Sequence, residues 1–324
     1  MKEHIAIYQL DKKGHANKLE SNINFSEYKD QLLWIQLDLK IAQKFLRDTK
    51  VIPEFASHVL CAKDTRPRTI INNNTLLCTI RGVNKNTTLQ NTGDMISVRL
   101  YVQENLIVSV HKYELNSVKT VINSFNTGTG PVSASDFIND FLLAVTDSSL
   151  EACAKIDHSI DQFEDQINQT VKLNTANGHI YSDLNALKRK IILLRRYLLP
   201  QREAILRIQT DKLTWFNDKE APYIQEIANT YTRILEDLET LHGRVSIIYD
   251  QIVAITQGNL NNRMYVLSII TAIFLPLTFI TGLLGINVGG IPGANSALGF
   301  AIVCIILIVF FILQYLLLKK LKWL

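Results

Sequence analysis

The 324-residue sequence lacks several patterns that would place it in a common functional class. Its cysteines are scattered, with no Cys-x-x-Cys pair, which argues against a disulfide framework and a cysteine-rich zinc site. The net charge of +4 is too small to suggest the clustered basic face of a nucleic-acid-binding protein, so we expect no nucleic-acid partner. We find no P-loop, paired catalytic motif or metal-ligand spacing, and expect neither enzymatic activity nor a cofactor.

Charge is missing from two long segments near the C-terminus. Residues 265–284 and 297–318 contain no Asp, Glu, Lys, Arg or His. Each has about 20 residues, enough for a helix to cross the roughly 30 Å hydrocarbon layer of a membrane. The loop between them, residues 285–296, is also uncharged, whereas basic residues flank the pair outside it: Arg263, Lys319, Lys320 and Lys322. The positive-inside rule then predicts an outward loop and two cytoplasmic termini.

Two further observations bear on this membrane hairpin. The N-terminal segment MKEHIAIYQLDKKG lacks the apolar core of a signal peptide, so insertion is expected to use the C-terminal hairpin. The alternative, two buried helices of a soluble core, fits poorly because core helices seldom stay apolar on every face for this length. We therefore expect membrane lipid to be a partner.

The first apolar segment has a stripe of small and polar residues on one helix face. Thr271, Leu275, Thr278 and Gly282 follow one another at helical spacing, and Gly285 continues the series. Towards the N-terminus the same face takes in Ser268, Met264, Asn261 and Gln257. In the second segment Cys304 and Gln314 stand out as polar. From the residues alone, this stripe either lines an aqueous path or lets helices pack closely.

The first 133 residues predict an α/β domain with a mostly antiparallel or mixed sheet. Strand patterns occur at 4–10, 32–39, 75–83, 96–102 and 106–111, and helix patterns at 41–48, 53–61 and 118–125. Residues 32–39 alternate between apolar and polar, which is typical of a half-buried strand. Residues 126–131, NTGTGP, mark a clear break.

A helical hairpin is predicted over residues 134–217. The first helix, 136–173, is capped by Ser135 or Asp136 and has an acidic face, and the second, 179–212, is basic. A turn at 174–178 makes them antiparallel with facing charges, and Pro200 is expected to kink or break the second helix. The acidic face either attracts cations or forms ion pairs in solvent, and it contains Asp157, Asp161, Glu164 and Asp165.

A third helix is predicted from Asp218, its cap, with Pro222 in the first turn. Nothing interrupts its pattern decisively before residue 284, so about 60 residues would span on the order of 90 Å. Residues 264–284 would form its membrane-crossing part. The predicted domains are thus 1–133, 134–217, the stalk and first span 218–284, the loop 285–296, the second span 297–318 and a basic tail 319–324.

The sequence FLPLTFITGLLGIN, followed by a short loop, a second span and KKLKWL, resembles the CorA-type family of two-span metal-ion transporters. That family has a Gly-x-Asn signature at the outer mouth, which here corresponds to Gly285, Ile286 and Asn287. Ile in place of Met, the GGIPG that follows and the terminal KWL resemble the ZntB branch, the zinc transporters of bacterial inner membranes. RRYLLPQR, TRPR and GTGP fit that branch as well.

The resemblance implies a CorA-like homopentameric funnel in the bacterial inner membrane. The stripe then becomes a set of rings around the axis: Asn261, Met264, Thr271, Leu275, Thr278 and Gly282. Gly285, Ile286 and Asn287 form the ion entry loop, with Asn287 binding the hydrated metal. The implied cargo is Zn²⁺, with Cd²⁺, Ni²⁺, Co²⁺ or Mg²⁺ as other divalent cations, and ZntB-type uptake is thought to use the proton gradient.

The pore residues themselves do not identify zinc. Zinc prefers thiolate and imidazole ligands, and neither occurs between Met264 and Ile302. A cytoplasmic regulatory site of His242 with Asp250 or Glu239 is one hypothesis, and ordinary surface residues the other. A magnesium or cobalt channel of the CorA type and a non-conducting membrane scaffold or sensor stay as alternatives for the whole protein.

Overall fold

A computed structural model describes residues 5–63, 66–83, 95–113, 115–173, 178–210, 213–217, 219–286, 291 and 297–321. The chain divides into two compact units, one made of residues 1–168 and 177–249, the other of residues 169–176 and 250–324. The predicted cap Asp218, the turn residues 174–177 and the loop residue Asn287 lie outside the described residues.

The first unit contains a seven-stranded mixed sheet. Its strands are β1 (Ile5–Leu10), β2 (Ala16–Leu19), β3 (Leu32–Asp38), β4 (Arg68–Asn72), β5 (Thr75–Val83), β6 (Met95–Gln103) and β7 (Leu106–His111). Their order across the sheet is β2-β1-β3-β7-β6-β5-β4. Strands β3 and β7 pair in parallel and the other neighbours pair antiparallel, which confirms the predicted sheet type.

Seven α-helices accompany the sheet in the described part of the chain. They are α1 (Leu39–Thr49), α2 (Glu54–Cys61), α3 (Asn116–Asn126), α4 (Ala134–Leu173), α5 (Gly178–Thr210), α6 (Ala221–Leu284) and α7 (Gly299–Lys320). Helices α1, α2 and α3 lie where the sequence pattern predicts them. Helix α6 is continuous from Ala221 to Leu284, as its sequence predicts, with Pro222 in its first turn.

Strand β3 is the centre of the core. Ile35 and Leu37 pack on one face of the sheet into an apolar cluster that includes Leu46 of α1 and Leu60 of α2. On the other face the ring of Trp34 lies 4.8 Å from that of Phe137 of α4, centroid to centroid. The expectation of a half-buried strand is therefore wrong. Helices cover both faces here, and the polar position Gln36 is itself buried.

The two outermost strands, β2 and β4, were not predicted. They have four and five residues and stand at opposite edges of the sheet. Short strands with polar residues are usual at sheet edges, where they discourage pairing with other chains. ANKL lacks strong β-forming residues, and RTIIN is short and shows no alternation of apolar and polar residues, so pairing with β1 and β5 decides their structure.

The GTGP motif is explained by close packing. Gly128 has a positive φ of 70°, and a Cβ there would lie 2.7 Å from the ring of His15. Gly130 donates its N–H to the carbonyl of Gly14 at 3.0 Å, and a Cβ at Gly130 would lie 2.3 Å from Phe125. The loop after α3 therefore docks on the β1–β2 turn, and glycine is needed for that contact.

Helices α4, α5 and α6 pack side by side in the first unit. Helices α5 and α6 are antiparallel. Tyr181 near the start of α5 contacts the ring of Tyr249, and Gln201 further along α5 donates its amide to the hydroxyl of Tyr231, earlier in α6, at 2.7 Å. Tyr231 is also hydrogen-bonded to Thr146 of α4. Arg244, further along α6, pairs with residues further along α4, so α4 runs parallel to α6 and antiparallel to α5.

Acidic residues of α4 and one basic residue of α5 pair with charged residues of α6. Arg244 donates to Asp157 and Asp161 at 2.6 Å each, and to the two carboxylate oxygens of Glu164 at 3.0 and 2.9 Å. Arg195 of α5 pairs with Glu239 of α6. The predicted pairing of these acidic residues with α5 is therefore wrong, because the third helix supplies the nearer partner.

Two local predictions for these helices also need correction. The hydroxyl of Ser133 accepts the N–H of Asp136 at 3.0 Å, and the carboxylate of Asp136 accepts the N–H of Val132 at 3.3 Å. Because the Ser133 hydroxyl accepts the N–H of the third residue of α4, Ser133 caps the helix in place of the predicted Ser135 or Asp136. Helix α5 continues through Pro200, so the predicted break does not occur, while the alternative of a kink stays a prediction.

Candidate pore-lining face

The second unit consists mainly of the last part of α6 and of α7. Both helices are long and apolar enough to cross a membrane. None of the apolar window of α6, and 6% of that of α7, is buried within the chain. A core helix of a soluble protein would be mostly buried, so this apolar surface needs lipid or further protein to cover it. Arg263 precedes the apolar part of α6, and Lys319 and Lys320 end α7.

One side of α6 packs against α7. Its half-buried residues recur at helical spacing and are Ile269, Ile273, Pro276, Leu277 and Ile280. On α7 the half-buried residues likewise form one face, namely Val303, Cys304, Leu307, Phe310 and Gln314. The amide nitrogen of Gln314 donates to the carbonyl of Ala272 at 3.3 Å, which places the apolar part of α6 beside the last turns of α7.

The predicted stripe lies on the opposite side of α6. At 3.6 residues per turn, its residues are rotated by about 180° from the face that packs on α7. All are exposed within the chain, Met264 by 65% and Leu275 by 66%. The exposed set also contains Asn261, Ser268, Thr271, Thr278 and Gly282. The hairpin therefore leaves this face free to meet water, lipid or another copy.

The hydroxyl groups on this stripe have a defined orientation. Ser268, Thr271 and Thr278 each donate to the carbonyl four residues earlier, at 2.8 Å. Each hydroxyl hydrogen is thus used within the helix, and the oxygen lone pairs remain as acceptors. Thr271 and Thr278 are two turns apart, about 10 Å along the axis, with Leu275 between them. Such a face presents neutral oxygen ligands on either side of an apolar position.

The C-terminal end of this face was predicted to form the entry loop. Helix α6 ends at Leu284, and the N–H of Gly285 donates to the carbonyl of Thr281 at 3.0 Å. Ile286 is half exposed. Nothing lies within 4 Å of a Cβ added at Gly282, so its lack of a side chain leaves open space on the stripe. Asn287 lies outside the described residues, and its role stays a prediction.

A shallow groove of about 410 Å³ runs along one flank of the hairpin. Its lining comes from α6 and α7 and consists of Phe274, Leu277, Thr278, Thr281, Leu307, Ile308 and Phe311. Thr278 stands at the border between this groove and the stripe. Thr281 belongs to the groove, and helical spacing already placed it off the stripe. The groove is apolar and suits an acyl chain or an apolar side chain better than an ion.

The three predicted metal ligands in the first part of α6 differ in their partners and in their exposure to solvent. Glu239 is paired with Arg195, His242 is half-buried and Asp250 is exposed. Among the described residues, no three His, Cys, Asp or Glu side chains are grouped so that they could hold a metal ion. The hypothesis of a regulatory site at these residues gains no support from this arrangement and stays a prediction.

A mixed α/β unit, a helical bundle and a C-terminal pair of membrane-length helices define a class of membrane transport proteins. The chain belongs to the CorA-like Mg²⁺ transporter family, whose family model matches residues 29–320. The predicted family and the CorA-like fold are thereby confirmed.

Individual relatives cover nearly the whole chain. The zinc transport protein ZntB of Yersinia pseudotuberculosis is 32% identical over 323 residues, which are 99% of this chain and 96% of that protein. The divalent cation transporter CmaX of Pseudomonas aeruginosa is 34% identical over 301 residues, covering 91% and 88%. The solved structure of full-length CmaX superposes with a TM-score of 0.78 at 31% identity, covering 100% of this chain and 99% of that one.

Proposed function

We propose that this protein carries divalent cations, zinc above all, through a central pore formed by several copies of the chain. The observation that carries the proposal is the stripe on α6, which lies opposite the α7 contact and offers outward oxygen acceptors at Thr271 and Thr278. A hairpin of two helices encloses no aqueous path, so identical copies must surround one axis. Similarity to ZntB and CmaX supports transport of divalent cations.

In this arrangement the ion meets the loop first and the stripe next. Gly285, Ile286 and Asn287 form the entry, where the Asn287 amide contacts the hydrated cation. Thr278 and Thr271 then present oxygen rings on either side of the apolar ring of Leu275, and Met264 forms a second apolar ring nearer the cytoplasm. Narrow apolar rings allow gating by loss of water from the pore. Five copies, as in the CorA-like funnel, is the stoichiometry we propose.

We further propose an inner-membrane location with both termini cytoplasmic and loop 285–296 outside. Arg263 before the first span and Lys319 and Lys320 after the second support this orientation. The soluble first unit then lies in the cytoplasm. The groove on the hairpin flank is apolar, and lipid or a neighbouring copy would cover it.

Magnesium is the second candidate cargo. The described stripe offers oxygen atoms, and Mg²⁺ prefers oxygen ligands and keeps much of its water. The family to which the chain belongs is also that of CorA-like Mg²⁺ transporters. Zinc is favoured because the ZntB relatives are zinc transport proteins. It would have to pass largely hydrated, because the described residues of the two spans contain no histidine, and their cysteine, Cys304, lies on α7 and not on the stripe.

The test is ion flux into liposomes that contain the purified full-length protein. Zinc and magnesium are offered separately, and then zinc is offered with excess magnesium. We expect zinc uptake that magnesium inhibits weakly, and loss of uptake in Asn287→Ala with assembly intact. Magnesium flux that zinc does not exceed would favour the magnesium channel. Absence of ion flux through the wild-type protein would point to a scaffold or sensor. An Asn287→Ala variant that keeps the activity of the wild type would point the same way.

Proton coupling is tested with the same vesicles. The described spans hold no Asp, Glu, Lys, Arg or His, so a carboxylate relay within the membrane is not available to them. We propose that an inward proton gradient accelerates zinc uptake through water in the pore or through groups outside the membrane. Equal uptake with and without the gradient would exclude coupling.

A further inference from the structure

Pro276 creates a gap in the backbone hydrogen bonding of α6. A proline has no N–H, so the carbonyl four residues earlier, at Ala272, loses the donor it would have in a regular helix. Helix α6 nevertheless continues through Pro276. In a hydrocarbon layer no water can supply the missing donor, and an unsatisfied carbonyl there is strongly unfavourable. The position therefore needs a donor from elsewhere in the protein.

Gln314 of α7 supplies that donor. Its amide nitrogen lies 3.3 Å from the carbonyl oxygen of Ala272, the very group that Pro276 leaves without a partner. Its amide oxygen is buried and has no hydrogen-bond partner among the residues that the structure describes. A leucine or methionine at this place would avoid the cost of that unpaired oxygen. The presence of an amide in an otherwise apolar stretch of α7 is thus explained by its donor group.

The location of this contact connects it to the candidate pore. Ala272 follows Thr271 in the chain, and Leu275 precedes Pro276, so the weakened turn carries two members of the stripe on its far side. The proline removes the intrahelical hydrogen bond between residue 276 and the carbonyl of Ala272, which would otherwise hold this turn within α6. The bond from Gln314 ties the same turn sideways to α7. This bond therefore connects α7 directly to the turn that carries Thr271 and Leu275.

We propose that Gln314 is a positioning residue: by binding the carbonyl freed by Pro276, it fixes the turn of α6 that bears Thr271 and Leu275 and so sets the open width of the pore. This inference rests on the proposed transport function. The hydrogen bond itself does not, because it joins two helices within one chain. The two statements can therefore be tested separately.

A double-mutant cycle tests the pairing. Gln314→Met keeps the length of the side chain and removes the donor. Pro276→Ala restores an N–H and gives the Ala272 carbonyl a donor within α6. We expect Gln314→Met to lower the maximal rate of zinc uptake about three- to tenfold with an unchanged KM, because the entry loop is untouched. In the Pro276→Ala background the same change should alter the rate less than about twofold.

The matched control is Cys304→Ala, which removes the other polar side chain on the α7 face that packs against α6. Its effect should be small and equal in both backgrounds. The melting temperature of each variant in detergent reports the hydrogen bond independently of flux. An equal effect of Gln314→Met in both backgrounds, in rate and in melting temperature, would overturn the pairing.

The remaining outcomes also discriminate. Coupling means here that Gln314→Met has a different effect in the wild-type and Pro276→Ala backgrounds. Coupling in the melting temperature without coupling in the uptake rate would support the hydrogen bond and overturn its role in the pore. Absence of flux in the wild-type protein would overturn the proposed function and the positioning role together, while coupling in melting temperature would still establish the bond. Coupling in both measurements, with assembly unchanged, would establish Gln314 as a positioning residue.

Discussion

The hydroxyl of Thr278 lies where two surfaces of α6 meet, and that position gives a direct test of the stripe. Its hydrogen is donated to the carbonyl of Phe274, which leaves the oxygen as an acceptor. Thr278→Val removes this oxygen at nearly constant volume. We expect zinc flux in liposomes to fall about tenfold, equivalent to about 1.4 kcal/mol lost at one ring of ligands. Thr278→Ser keeps the oxygen and should retain most of the flux.

Thr281 provides the matched control for that substitution. It also donates to a carbonyl of its own helix, that of Leu277 at 3.1 Å, but it lines the groove beside α7. Thr281→Val should therefore leave zinc flux unchanged. If both valine variants lose flux equally, the hydroxyls matter for helix structure, and the stripe loses its role as a set of cation ligands.

Glu220, just before α6, makes stability depend on pH. Burial, a hydrogen bond with Asp136 and the negative charges of Asp136 and Asp140 raise its pKa from 4.5 to about 7. Ser135 and Asn139 donate to the same carboxyl group. Burial and then Asp136 also raise the pKa of Asp140, to about 6. Carboxyl groups from α4 and from the start of α6 thus share a small space in which ionisation is unfavourable.

The sign of the pH effect follows from these raised values. Between about pH 4.5 and pH 7 the folded state keeps a proton on Glu220 that the unfolded state has released. The stabilisation is complete below this window and is lost as the pH rises through about 7. We expect the melting temperature of the purified protein to fall between about pH 4.5 and pH 7, and Glu220→Gln to reduce that fall.

The exposed acidic residue Glu203 on α5 serves as the comparison. Glu203→Gln removes a carboxyl group without touching the Asp136 cluster, and should leave the pH dependence of the melting temperature as in the wild type. A steep fall that persists in Glu220→Gln would mean that other groups cause it. The same melting curves would then exclude Glu220 as the source.

At the scale of whole helices, Arg244 joins α4 to α6. Hydrogen bonds to Glu164 and Asp161 raise the pKa of its guanidinium. Replacing it with glutamine leaves three carboxylates, those of Asp157, Asp161 and Glu164, close together without their cation. We expect a loss of about 1–3 kcal/mol, seen as a lower melting temperature that added salt partly restores, because salt screens the repulsion.

An exposed ion pair on α6 gives the contrast. Arg233 bonds Glu226 at 2.8 Å, and both side chains are more than 60% exposed. Arg233→Gln should change stability by less than about 0.5 kcal/mol, because exposed pairs contribute little. If the two arginine variants lose stability equally, the cluster on Arg244 is no stronger than a surface pair, and α4 is held to α6 by apolar packing alone.

The helices and strands differ in how far their sequences predict them. Strand β5 was predicted with its observed bounds, because TLLCTIRGV is rich in β-forming residues. The long α6 was predicted because its pattern contains no decisive stop. Strands β2 and β4 and the cap Ser133 were not predicted. The two strands depend on pairing with β1 and β5, and the cap depends on a contact with Asp136, and the local sequence shows neither. The pairing of Arg244 was missed for the same reason: the acidic face is visible in the sequence, but its partner is 80 or more residues away.

For the assembled molecule, cross-linking can show which face of α6 meets other copies. In a background without native cysteines, Leu275→Cys places a thiol on the stripe and Ile273→Cys places one on the side that packs against α7. A short bifunctional thiol reagent should link Leu275→Cys chains in pairs and leave Ile273→Cys chains single. Native mass spectrometry of the purified protein should give five copies.

The contrary results have clear meanings. Pairs formed through Ile273→Cys but not through Leu275→Cys would turn the stripe towards lipid and remove the pore. A dimer or a monomer in native mass spectrometry would not enclose a water-filled axis with one α6 helix from each chain. Either result would leave the CorA-like fold in place and overturn the arrangement proposed for it.

The sequence by itself determined the class of this protein. It contains three local patterns: two uncharged stretches of membrane length, a stripe of small and polar residues, and the Gly285-Ile286-Asn287 signature. Such patterns can be recognised in the sequence because each depends on spacing along a single helix or loop. Five of the seven strands and the long α6 could be predicted for the same reason. The stripe residues, too, were identified by helical spacing before any contact was known.

Only the tertiary structure decided which surfaces meet. It placed the stripe opposite α7, paired Arg244 with α4, and brought Gln314 to the carbonyl that Pro276 leaves free. The last contact joins residues 42 positions apart, and neither residue indicates the other in the sequence. Packing between helices depends on the rotation and offset of each helix about its axis, and these are set by the whole set of contacts, which no single segment encodes.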